Sequence, residues 1–136
     1  MEGPRNIILY HYPCPDGAFS AYAVHLSGLK NVTYVPARTG SRNAVDLTQF
    51  SGSSNLYLLD YGGPNVEFLL QACKLFENVY LLDHHKTTVD IIQSMRDFPP
   101  NLHTEHVTMS KTGRKLLAVR VVMKPKVVVL NVLEDP

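Results

Sequence analysis

This sequence predicts an α/β fold in three layers, a mainly parallel sheet with helices on both faces. Two observations carry that expectation. Three times a short apolar run ends in a polar or acidic residue: residues 6–10 before His11, 56–59 before Asp60, and 79–82 before Asp83. Each run then gives way, after a short connection, to a segment with helical spacing. Apolar runs of this kind are expected of strands buried on both faces, and their alternation with helices signals parallel pairing.

The elements follow in chain order. Residues 6–10 (NIILY) form the first strand, and His11-Tyr12-Pro13-Cys14-Pro15 reads as a loop because proline resists helix. Residues 17–29 place Phe19, Ala23 and Leu26 at helical spacing, with Asp16 where an N-cap belongs. Residues 32–35 read as a strand and 38–43 as a polar loop. After Asp60, Tyr61 and Gly62-Gly63-Pro64 comes a helix over 66–76 carrying Leu69, Leu70 and Cys73. Asp83-His84-His85 leads into a helix over 88–95, which Phe98-Pro99-Pro100-Asn101 stops. Beyond it the patterning weakens. Residues 108–114 are polar, 116–123 mix apolar residues with bases, and 126–133 read as one strand through their valines. Residues 1–100 are therefore expected to form the functional domain. Residues 101–136 are expected to be a divergent tail, part of the same domain or poorly ordered, and less completely packed.

The chain has 136 residues, 45% hydrophobic and 18% charged, as expected of one globular domain. Its formal net charge of +1 makes no global case for nucleic-acid or membrane binding, so a phosphate-bearing ligand would have to be held locally. Cys14 and Cys73 lack CxxC spacing, no apolar signal segment opens the chain, and no run approaches the roughly 18 apolar residues of a membrane span. An intracellular, reducing compartment is expected, with the cytoplasm foremost.

Parallel strands present their carboxyl ends along one edge, where ligands bind. His11 with Asp16, then Asp60, then Asp83-His84-His85 are thus expected to converge. Carboxylates and imidazoles suit manganese, zinc or magnesium. Hydrolysis at phosphorus is the natural use of such a cluster, since two ions about 3.5–4 Å apart clamp attacking and leaving oxygens. Simpler readings compete. Asp16 or Asp60 alone reads equally well as a helix cap, and the segment after Asp60 as a plain turn. His25, His103 and His106 are unassigned. A pair of histidines after an apolar strand and an aspartate is harder to explain structurally. Cys14 sits where a nucleophilic thiolate would be stabilised, but its flanking prolines and Asp16 argue against that role. Neither GxGxxG nor GxxxxGK[ST] occurs.

Leu81-Leu82-Asp83-His84-His85-Lys86-Thr87 resembles the signature of the DHH phosphoesterase superfamily, and two further segments agree in order. Tyr10-His11-Tyr12-Pro13-Cys14-Pro15-Asp16-Gly17-Ala18 is similar to its first motif, and Leu58-Leu59-Asp60-Tyr61 to its second. The resemblance spans residues 6 to 100. It implies a metal-dependent phosphoesterase or phosphohydrolase using two ions, Mn2+ or Mg2+, to drive hydroxide attack on a phosphoester or phosphoanhydride. The substrate it implies is a phosphate-containing small molecule or short oligonucleotide. By the same resemblance Asp60 bridges both ions, His84 and Asp16 ligate one, and His11 serves the other. His85 lies nearer the scissile phosphate, and Asp83 orients the imidazoles.

The sequence also departs from the family. Cys14 stands where most members carry an aspartate, and His11 is one residue closer to Asp16 than in the pyrophosphatase-like pattern. Either one ion binds weakly or Cys14 itself ligates, shifting preference toward softer metals. A fourth-motif aspartate and a second, substrate-gripping domain are also expected of the family. Lys111-Thr112-Gly113 resembles a Lys-Ser-Gly segment after the family's third helix, Glu134-Asp135 lies near where a fourth motif would begin, and the tail reads as the divergent end of a truncated or alternatively spliced chain. The rival expectation is a non-catalytic fragment that binds metal or a partner chain without turnover.

Overall fold

Parallel pairing joins β1 (Asn6–His11), β2 (Val32–Ala37), β3 (Asn55–Leu59), β4 (Asn78–Asp83) and β5 (Leu102–His106) into one sheet, in the order β2-β1-β3-β4-β5. α1 (Pro15–Ser27) connects β1 to β2, α2 (Val66–Leu75) connects β3 to β4, and α3 (Lys86–Ser94) connects β4 to β5. The computed structural model describes residues 5–38, 45–50, 52–83, 86–106, 116–123 and 126–133. Side chains are described through Thr104, apart from those of residues 16, 86, 87 and 89.

The helices divide between the two faces as strand alternation dictates. Ile7, Leu9, Leu56, Leu58, Val79 and Leu81 point to one side and pack with Phe68, Leu69 and Ala72 of α2, joined by Ile91 and Ile92 of α3. Ile8, Tyr57, Leu59 and Leu82 point to the other and pack with Val24 of α1. This is the expected three-layer α/β arrangement. Both faces of β1, β3 and β4 are thereby covered, which explains their continuous apolar runs. Pro36 is tolerated because β2 lies at the sheet's edge.

Two helix readings need correction. Among the described residues of α1, Gly17, Ser20, Ala23 and Val24 are buried, whereas Phe19 and Leu26 are about half exposed. Small side chains let this helix lie close to the sheet, so the large residues that dominate the periodicity point away. The N-cap is Cys14 rather than Asp16, which falls within the first turn, because Pro15 carries the fixed φ suited to the first helical position.

The amino ends of the strands carry an arrangement that apolar patterning does not signal. Asn6, Asn55 and Asn78 are in register across β1, β3 and β4. Asn55 Nδ2 donates to Asn6 Oδ1 at 2.9 Å, Asn78 Nδ2 donates to Asn55 Oδ1 at 3.1 Å, and Asn6 Nδ2 donates to the Lys30 carbonyl at 2.9 Å. A slip of one residue would break every link, so the ladder fixes register. Asn55→Ala should cost about 1–3 kcal/mol, measured by urea denaturation, because it removes a donor and an acceptor from a part-buried chain of amides and leaves the buried Asn6 without that partner.

β5 extends the parallel sheet beyond the expected boundary at residue 100, with Leu102 opposite Val79 and His106 opposite Asp83. The weakly patterned segment after it forms β6 (Leu116–Met123), which pairs antiparallel with β7 (Lys126–Leu133) in a separate two-stranded sheet. Among the described residues, no helix is long and apolar enough to cross a membrane.

Candidate metal centre

The chain runs from β1 outward to β2, then returns to place β3 on β1's other side. This reversal makes the carboxyl ends of β1 and β3 the topological switch point, where doubly wound sheets leave a crevice. His11 is the last residue of β1, and Asp60 directly follows β3. Their side chains meet there, with His11 Nδ1 3.4 Å from Asp60 Oδ2.

Asp60 is held by its surroundings. Its N–H donates to the Leu82 carbonyl at 2.9 Å, carrying the β3–β4 ladder one residue past the strand, and the side chain is buried. Its φ of 57° lies in the left-handed region, which aspartate tolerates better than most residues. Backbone in this region is found at sites where a side chain must be aimed against local preference. Asp60 does not cap α2, because that position belongs to Asn65, whose side chain accepts from the Phe68 N–H at 3.0 Å.

The third member of the cluster is Cys14. One ligand atom each from His11, Cys14 and Asp60 lies within 4.8 Å of the others. Gly17 makes this approach possible, because a Cβ there would overlap the backbone carbonyl of His11. The first turn of α1 can thus lie directly on the end of β1. Arg38, directly after β2, stands over the exposed Tyr12 ring, 5.8 Å from its centre.

Asp83 ends β4 on the same edge and is buried, accepting a 2.5 Å hydrogen bond from Thr88 Oγ1 of α3. Gly62 packs against Thr88 so closely that a Cβ would overlap its hydroxyl. The turn after β3, the start of α3 and the end of β4 are thus locked together. Of the residues expected at the site, His11 and Asp60 are brought together, and Asp83 lies at the carboxyl end of the next strand. His84, His85 and the side chain of Asp16 lie outside the described residues, as do Lys111-Thr112-Gly113 and Glu134-Asp135. The roles of Thr88 and Gly17 at this edge have no signature in the sequence, because a hydroxyl and a glycine give no apolar signal.

The donor set of imidazole, thiol and buried carboxylate fits a divalent transition ion. Bound to one tetrahedral ion, two nitrogen or oxygen donors sit about 3.3–3.4 Å apart, as geometry requires of bonds near 2.0–2.1 Å. The 3.4 Å between His11 and Asp60 already matches this.

The second cysteine behaves differently. Burial pushes the Cys73 thiol from 9.0 up to about 11. Iodoacetamide at pH 8 should therefore modify Cys14 well before Cys73, as mass spectrometry of the digested protein would show. Because the raised value favours the protonated thiol in the fold, Cys73 contributes stability below pH 9 that is lost as pH rises through about 11. Comparison with family models, curated proteins and solved structures found no match.

Proposed function

We propose that this chain is a metal-dependent phosphoesterase or phosphohydrolase of the DHH type, acting on a phosphoester or phosphoanhydride. The observation that carries this reading is the meeting of His11, Cys14 and Asp60 at the switch point of a parallel sheet. It is supported by Asp83 at the carboxyl end of the next strand, immediately before His84-His85 in sequence. In this proposal His11, Asp60 and Cys14 would hold one of two divalent ions, which the family resemblance taken alone gives as Mn2+ or Mg2+. The resemblance implies that Asp60 would serve the second ion as well, with Asp16 and His84 as its further ligands. Such ions, when bound, supply Lewis-acid charge for attack by water at phosphorus.

The chain's own residues set the geometry of that chemistry. Asp60 presents a buried carboxyl group to the crevice, on a backbone held in place by its hydrogen bond to β4. Asp83, bonded to Thr88, anchors the start of α3 beside the segment that carries His84 and His85. By the family resemblance His85 would act near the scissile phosphate, and Arg38, directly after β2, would offer a cation to a phosphate oxygen.

The test is hydrolysis of pyrophosphate, short RNA, adenosine bisphosphate and an aryl phosphate, with manganese and after chelation. Turnover of at least one substrate, abolished by chelator and restored by manganese, is expected. Metal binding without turnover would instead favour a non-catalytic DHH-like domain, and failure to bind metal would overturn both.

A further inference from the structure

Resting on that reading, we propose that the ion held by His11, Cys14 and Asp60 is zinc, with Cys14 bound as thiolate, and that this sulfur sets the metal preference. A carboxylate-and-imidazole set accommodates manganese, whereas a thiolate discriminates strongly for zinc. The described residues offer one nitrogen, one sulfur and one oxygen within 4.8 Å of one another. Three protein donors leave a fourth tetrahedral position for a substrate or solvent oxygen, which is the pattern of catalytic rather than structural zinc.

The local chain supports a ligating sulfur. Cys14 has extended backbone, φ −150° and ψ 130°, and precedes Pro15, whose ring disfavours the helical alternative for the residue before it. The thiol-bearing residue is thereby held at the N-terminus of α1, on the carboxyl edge of the sheet beside His11. Gly17 keeps that mouth against His11. Bound zinc would need the sulfur about 3.5 Å from its co-ligands, given bonds near 2.3 Å to sulfur and 2.0–2.1 Å to nitrogen.

The experiment loads the full chain with zinc, cobalt or manganese, one at a time. Cobalt-loaded protein should show the near-ultraviolet charge-transfer absorption of a thiolate ligand. Cys14→Asp should abolish that band while retaining cobalt, and should narrow the zinc-over-manganese affinity ratio by about tenfold or more. Circular dichroism checks that the variant is folded, and the band in the unaltered chain stands as evidence without any variant. Cobalt binding without the band would overturn the zinc–thiolate assignment while leaving the phosphoesterase reading intact. So would an unchanged ratio in folded Cys14→Asp. Absence of any metal binding would overturn both.

Discussion

Asp60→Asn is expected to lower manganese affinity by more than about 100-fold, exceeding the 10–100-fold typical of residues that only orient a ligand. The carboxyl group lies 3.4 Å from His11 and is buried, so a metal ion bound there would interact with it with little screening by water. Asparagine preserves the volume and tolerates the left-handed φ of 57°, so the fold should persist. Calorimetric titration gives the affinities directly. Thermal denaturation gives a second reading, since manganese at 100 times its dissociation constant should stabilise the unaltered chain by about 2.7 kcal/mol and the variant hardly at all. With manganese, Cys14→Ala should cost less than Asp60→Asn, because a bridging carboxylate serves two ions and the sulfur one. An equal or larger loss at Cys14 would overturn the assignment of Asp60 as the bridge.

Gly17→Ala should damage both fold and site although it adds one methyl group. The new Cβ would overlap the His11 carbonyl, and the obstacle is backbone rather than a flexible side-chain end. Either α1 retreats from β1 or the end of β1 bends. Overpacking of this kind costs about 1–3 kcal/mol, and a fall of about 5–10 °C in Tm is expected for a domain of this size. Both relaxations move Cys14 relative to His11 and Asp60, so metal affinity should fall even where the folded fraction is unchanged. Ala18→Gly serves as the control, because Ala18 is exposed one position on and its loss changes helix propensity alone. If Gly17→Ala bound metal as tightly as the parent chain, the close approach of α1 would have no part in building the site.

By itself the sequence determined the layer architecture and the edge on which chemistry is concentrated. Runs such as 6–10 and 79–82 are apolar at successive positions because both faces of their strands are buried, and that demand is written residue by residue. His11, Asp60 and Asp83 were legible because each interrupts such a run where a strand must end. The tertiary structure decided what no local pattern encodes. The strand order puts β3 beside β1, which makes neighbours of residues 49 positions apart. The face of α1 that meets the sheet is chosen by how close the helix can come, so glycine, serine and alanine are inside and Phe19 outside. Cys14 joins the cluster for the same reason. Its place beside His11 follows from the missing side chain of Gly17, and periodicity registers the spacing of bulk while proximity depends on its absence.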